Sequence, residues 1–334
     1  MKGESVLYDA PGPKARRVTL IASIVAAVLA VVGAYFLIYR PLKENGQLSM
    51  ALWGPLIDPG NENFEQLWKR LGQGFKATII AAVLAIICSL LFGSALAILR
   101  VQLRAVRTVP GVQVLISVLN LITRICVEVL RGIPVVITIF FVWVGLNQLG
   151  AKDVVIPLSG IGLDDLTISY LLYSLVIGLT IYNGVVIGEI LRSGMEGLPR
   201  GQREAADAIG LSTFQTIRLV LLPQAYRIML PALISQLVVV LKDTSLGFII
   251  TYEEILRVAG QTVQVLGNGI QTYVVIGAIY IAANYTLSKL AEFTQRRMAR
   301  GRKAPRQPGG GVQLPPASLG ADTELPAIAA KVDD

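Results

Sequence analysis

The chain has 334 residues, 54% of them hydrophobic and only 16% charged, against roughly a quarter charged in an ordinary soluble domain. It has no histidine, and its two cysteines, Cys88 and Cys126, lie far apart in apolar runs; it also has no GxxxxGK[ST] loop. Histidine general bases, most zinc sites, a disulfide framework and nucleotide binding in the P-loop manner are thereby excluded, and no metal or cofactor is expected.

Several apolar runs reach the roughly 20 residues that a helix needs to cross a bilayer, and no alternating ten-residue segments point to a barrel. The expected fold is all-α, a polytopic helical bundle in the cytoplasmic membrane. Six spans are read: Val18–Tyr39, about Phe75–Leu99, Ile133–Leu149, Leu166–Leu191, Ala232–Ile250 and Thr272–Leu290. The first is too long and too poorly flanked for a cleaved signal peptide. Val112–Leu130 is apolar but carries Asn120, Arg124 and Glu128 four residues apart on one helical face, which reads as an interfacial helix leading into the third span. The domain layout is an N-terminal segment 1–17, a first span 18–39, an outer loop 40–71, a transmembrane domain 72–292 and a disordered tail 293–334. Pro and Gly dominate that tail from about Gly301.

Six spans place both termini on one side. The terminal segments and the intervals that share their side hold most of the arginines and lysines, among them Arg100, Arg104, Arg192, Arg200, Arg203, Arg296 and Arg297. Both termini are therefore expected in the cytoplasm. The net charge of +8 is then topological, and nucleic acid is not an expected partner.

Between the fourth and fifth spans lies the polar stretch "GQREAADAIGLSTFQTIRLVLLPQA", Gly201–Ala225. Gln202–Ile209 is helix-forming, with Ala205, Ala208 and Ile209 along one stripe. Gly210 stands where a helix C′ residue would, with Leu211 as its hydrophobic partner. Ser212 to Gln215 has capping-box spacing, so a second helix begins there, and Pro223 falls near its end. The unit is a helical hairpin on the cytoplasmic side. By itself it reads either as a solvated loop or as a dock for a soluble partner.

Ionisable residues inside spans are costly and mark function or packing. Lys242 and Asp243 interrupt the fifth span, followed by Thr244 and Ser245. They read either as a buried charge pair that fixes helix packing or as the lining of a path. Glu189 and Arg192, and likewise Glu128 and Arg131, are spaced for local pairs, the second just before Gly132 and Pro134, where a helix must break. Asn183 and Gly184 offer a polar side chain and a close backbone approach in mid-span. Gly145, Gly178 and Gly188 read as close helix contacts.

"EAADAIG" followed by "IRLVLLPQA" resembles the EAA signature of ABC importer permeases. "EVLRGIPVVITIFF", "YNGVVIGEILRSGMEGLPRGQREAA" and "LKDTSLGFI" are similar to the polar amino acid branch of that family, and the likeness covers about Gly72 to Leu290. The branch usually has Tyr where Val127 stands, RGTP where this chain reads RGIP, and GAY around Tyr182–Gly184. Its core has five spans, so the added first span and tail resemble the longer permease subunit of glutamate importers. The resemblance implies a non-catalytic subunit, embedded in membrane lipid, that moves a polar amino acid, glutamate in the first place, across the cytoplasmic membrane by alternating access. It implies a second permease chain, two ABC ATPase subunits that hydrolyse the ATP, and an extracytoplasmic binding protein. Residues implied in ATPase coupling are Gly201, Glu204, Ala205, Ala206, Gly210, Leu211 and Pro223, within the hairpin 201–223. The path or gate would use Glu128, Arg131, Asn183, Glu189, Lys242, Asp243, Thr244 and Ser245. The rival readings are a gradient-driven secondary transporter, for which no inverted repeat is visible, and a membrane-anchored scaffold.

Overall fold

A computed structural model describes residues 12–105, 110–156 and 166–300. Residues 1–11, including Lys2, and the tail beyond Arg300 lie outside the described residues. Two units divide the chain, Met1–Phe293 and Thr294–Asp334.

Thirteen α-helices dominate the described residues, and six of them, or runs of them, are long and apolar enough to cross a membrane. The first runs from α1 (Pro13–Ala34) through a π-helical stretch, Tyr35–Tyr39, into α2 (Arg40–Glu44). Pro41 sits in the first turn of α2, and its missing N–H is absorbed where the helix widens into the π form. No residue of α1 is buried, so its apolar side chains are left for lipid or for another chain. It begins at Pro13, five residues ahead of the expected start.

After α3 (Met50–Ile57), α4 (Phe64–Ala105) runs 42 residues without a break. At about 1.5 Å per residue it is roughly 63 Å long, about twice the hydrocarbon thickness, and it extends well beyond the expected span at both ends. Next come α5 (Pro110–Gly132) and α6 (Val135–Gln148), with Pro134 capping the latter.

Here the third span is corrected. Gly111–Gly132 is the segment long enough to cross, while the 14 residues of α6 reach only about 21 Å. Asn120, Arg124 and Glu128 on one face make Val112–Leu130 read as interfacial, but they interrupt a run that is otherwise apolar and long enough to cross. Strands β1 (Val154–Ile156) and β2 (Leu166–Ile168) form a small antiparallel ladder pairing Val154 with Ile168. The fourth span therefore begins later than expected, at α7 (Tyr170–Glu196), where the Ser169 side chain accepts the Leu171 N–H.

The hairpin follows as α8 (Arg200–Ala208), α9 (Thr213–Gln215), a π-helical stretch Thr216–Leu221, and α10 (Leu222–Ile228). α11 (Leu230–Asp243) tightens into a 3₁₀ turn over Thr244–Ile250. α12 (Ile255–Leu266) ends at Gly267 with φ +66°, and α13 (Gly269–Arg300) completes the described chain. The expected tail from residue 293 is helical as far as Arg300.

Helices α4 and α7 form the spine because glycines let their backbones meet. A methyl group at Gly93 would stand 2.7 Å from the Gly184 carbonyl oxygen, and one at Gly188 would stand 3.1 Å from the Gly93 oxygen. Gly178 faces the Ile139 backbone of α6 as closely, at 2.7 Å. Gly145 has no atom within 4 Å of such a position, so the close contact expected there is absent among the described residues. Around the spine lie three apolar clusters: Ala97, Leu191 and Ile217 beside the hairpin, Ala85, Leu175 and Val240 in the middle, and Leu71, Ile255 and Ile276 under α12.

Candidate functional site: the hairpin and the polar interior

The hairpin is closed by backbone hydrogen bonds that its sequence foretells. Gly210 adopts φ +79°, its N–H bonds to the Asp207 carbonyl at 3.0 Å, and the Leu211 N–H reaches the Ala206 carbonyl at 3.1 Å. This is the double bond pattern of a Schellman motif, which a residue with a Cβ resists at the left-handed position. Ser212 and Gln215 complete a reciprocal capping box. The Gln224 Nε2 donates to the Gln202 Oε1 at 3.0 Å, strapping one limb to the other.

The second limb is rooted in the bundle. Ile217, Leu221 and Ala225 bury against Ala97 and Val101 of α4 and Leu191 and Met195 of α7. The first limb buries only Ala206; Gly201, Glu204 and Ala205 are exposed. The expected apolar stripe of Ala205, Ala208 and Ile209 therefore faces outward. Ile209 is 76% exposed, and Phe214 and Leu219 add to the same uncovered apolar surface. Glu204 lines a groove of about 380 Å³ with Arg200, Arg203, Asp207 and Leu198. Pro223 does not end the second helix. It starts α10 in mid-limb, directly after the π-helical stretch that accommodates its missing N–H.

Glu189 does not end the fourth span either, since α7 continues to Glu196. It pairs with Arg192 at 3.0 Å as its spacing foretells, and also with Arg100 of α4. Glu196 bonds Arg104 at 2.8 Å and Arg192 at 2.5 Å. Five charges thus cross-link α4 and α7 beside the hairpin, and Arg100 is only 2% exposed. Sequence reading had assigned Arg100 and Arg104 to the inner loops by charge; their partners lie 89 and 92 residues away, beyond any local spacing. Glu128 and Arg131 are both exposed, and no ion pair joins them among the described residues.

Lys242 and Asp243 do not form the buried pair that their adjacency raised. Successive helical residues point about 100° apart. Lys242 is exposed and lines a cavity of about 530 Å³ with Ser245, Tyr280 and Asn284. Asp243 turns inward, where its Oδ2 accepts from the Asn183 Nδ2 at 3.4 Å. The fully buried Asn183 in turn accepts from the Gln236 Nε2 at 2.7 Å. Thr244 is fully buried, its hydroxyl turned back on the Leu241 carbonyl at 2.7 Å. Gln236, missed in the sequence, shares a face with Asp243 seven residues on, a spacing that could have revealed it.

Glu254 was also missed. It is fully buried, caps α12 by accepting the Arg257 and Leu256 N–H groups at 2.7 and 2.8 Å, and accepts from the Tyr280 hydroxyl at 3.3 Å. Burial pushes its carboxyl up to about 7 against those three donors. Glutamate is not a favoured N-cap, so nothing in the local sequence marks it as one.

Fold and site together define a polytopic helical permease of the inner membrane whose helical hairpin projects from the spans. The chain belongs to the family described as binding-protein-dependent transport system inner membrane component, whose pattern it matches over residues 114–300. It is 36% identical to the glutamate transport system permease protein GluD of Corynebacterium glutamicum, over 81% of this chain and 91% of that protein. It is 32% identical to the probable glutamine ABC transporter permease protein GlnP of Bacillus subtilis, over 69% of this chain and 92% of that one. Among solved structures, an amino acid ABC transporter with histidines superposes with a TM-score of 0.54 at 25% identity, over 70% of this chain and 96% of that one.

Proposed function

We propose that this chain is the permease subunit of an ATP-driven importer for a polar amino acid, glutamate in the first place, with the hairpin seated on a separate ATPase. The observation that carries the reading is the hairpin itself: rigidly closed, rooted through Ile217, Leu221 and Ala225 in the two spine helices, yet presenting Glu204, Ala205, Ile209 and Phe214 uncovered. Such an element passes a rigid-body displacement from a soluble partner into the spans. The names of the relatives supply the solute class.

In this reading both termini are cytoplasmic, by the bias of arginine and lysine. Gly201, Glu204, Ala205, Ala206, Gly210, Leu211 and Pro223 form or shape the dock. ATP binding draws two ATPase subunits together, and the spine helices follow, favouring one of two accessible states. A second permease chain completes the path, and an extracytoplasmic binding protein delivers the solute. Lys242 and Ser245 face the open cavity and would touch the solute, while Asn183, Asp243 and Thr244 hold α7 to α11 behind it. Glu189 belongs to the cross-link that keeps the spine rigid above the dock. Glu128 and Arg131 are free to meet the second chain.

The test is reconstitution of the chain with its partners in vesicles. ATP-dependent glutamate uptake that requires the ATPase supports the reading, and gradient-driven uptake by this chain alone overturns it. A disulfide trapped between a cysteine at Ala208 and the ATPase surface places the dock. For orientation, a reporter active only outside the membrane should be silent after Asp334 and active near Asn61; the reverse pattern refutes the topology.

A further inference from the structure

α12 lies between the last two spans, on the face of the membrane opposite the hairpin. It buries Ile255, Val258, Ala259 and Thr262 against the bundle. Its other side carries Arg257, Gln261 and Gln264, spaced by four and three residues so that they stand in one row. That row borders a cavity of about 270 Å³ that Phe248 and Tyr273 also line.

Arg257 has no carboxylate within ion-pair distance among the described residues. Its Nε is shut off from solvent and lacks a hydrogen-bond acceptor. Of the two neighbouring acids, Glu254 is committed elsewhere, while the exposed Glu253 stands at the rim of the cavity through Gln261. The carboxylate of Glu254 accepts backbone N–H groups and the Tyr280 hydroxyl, and the Glu253 Oε1 accepts from the Gln261 Nε2 at 3.0 Å. A second cation stands nearby, for the Arg70 Nη2 reaches the Gln261 Oε1 at 3.4 Å. A guanidinium is a rigid fork of donors matched to a carboxylate.

We infer that this cavity is a carboxylate-binding subsite, with the Arg257 guanidinium as its anchor and the Tyr273 hydroxyl as its further polar group, Gln264 standing at the exposed rim. At about 30 Å³ per water it has room for roughly nine waters, enough for a free dicarboxylic amino acid. It adjoins the cavity that Lys242 lines, since Leu256 and Tyr273 border both. Arg257 and Lys242 thus line adjoining cavities. Resting on the importer reading above, the subsite assigns this chain a share in choosing an acidic solute over its neutral amide.

The experiment uses the assembled transporter in membrane vesicles, with Cys88 and Cys126 replaced by Ala and Gln264→Cys introduced at the exposed rim. Anionic and cationic methanethiosulfonate reagents of similar size are compared by labelling rate. With Arg257 present the anionic reagent should react roughly tenfold faster, since a charged hydrogen-bonding partner gathers the anion. That preference should vanish in Arg257→Gln and persist in Arg257→Lys. Equal rates with Arg257 present, each taken relative to that reagent's rate with a free thiol, or a preference unchanged in Arg257→Gln, overturn the subsite. ATP-dependent glutamate uptake by the unlabelled transporter is measured separately. Its absence would refute the importer reading while the labelling ratio still decides the subsite.

Discussion

Replacing Gly93 by Ala tests the spine directly. The added methyl would stand 2.7 Å from the Gly184 carbonyl oxygen, 2.8 Å from the Ile187 Cγ2 and 2.9 Å from its Cβ. The first distance is about 0.6 Å short of the ~3.3 Å at which a carbon and a carbonyl oxygen ordinarily meet. A backbone oxygen inside a helix cannot rotate away, so α4 and α7 must separate. Separation loosens Ala97, Ile187 and Leu191 together, since they share one cluster. Overpacking of this kind costs about 1–3 kcal/mol, and a rigid neighbour places it near the top of that range. Alanine returns about 1 kcal/mol of helix propensity. The net loss is about 2 kcal/mol, or roughly 3 °C in Tm for a chain of 334 residues. Gly145→Ala is the control, because nothing lies within 4 Å of its new methyl, and it should hold or raise Tm. Thermal unfolding of both variants in one detergent decides the matter. A Gly93→Ala protein as stable as Gly145→Ala would refute the close-approach account.

Further outcomes follow from the hairpin, the cross-link and the buried cap. Gly210→Val places a β-branched residue at φ +79°, at a cost of about 1–2 kcal/mol; stimulated ATPase activity and uptake should fall together at normal abundance, and full uptake would count against the docking role. Glu189→Gln leaves the 2%-exposed Arg100 without its charge partner, which should cost about 3–5 kcal/mol of stability; Arg100→Met combined with Glu189→Leu should recover most of that loss, and a double variant no better than the single one would show that the ion pair is not the cause. The Glu254 carboxyl titrates near 7 in the fold against 4.5 outside it, so between those values the folded chain holds a proton that the unfolded chain has released. Stability should therefore decline from about pH 4.5 to 7 and then level off, by about 3 kcal/mol in all. Glu254→Gln should flatten that dependence in melting curves between pH 5 and 8, and an unchanged decline would assign it to another group.

The sequence by itself determined what local chemistry dictates. Apolar run length fixed six crossings, because a bilayer demands about 20 apolar residues wherever they fall. Gly210, Leu211, Ser212 and Gln215 fixed the hairpin turn, because Schellman and capping-box bonds join residues at most five apart. The Glu189–Arg192 pair was equally local. The local pattern could not decide which part of 112–149 crosses, since Asn120, Arg124 and Glu128 interrupt a run that is otherwise apolar and long enough.

What only the tertiary structure decided are the contacts between distant segments. Arg100 meets Glu189 across 89 residues, Asn183 meets Asp243 across 60, and Tyr280 meets Glu254 across 26. Lys242 and Asp243 part company because helix geometry aims neighbours about 100° apart, and packing then chose which one faces inward. The same holds for the hairpin's apolar stripe. Ala206 is buried, while Ala205, Ala208 and Ile209 are left uncovered. Periodicity marks a face as apolar, and only the packed neighbours show whether this chain or another one covers it.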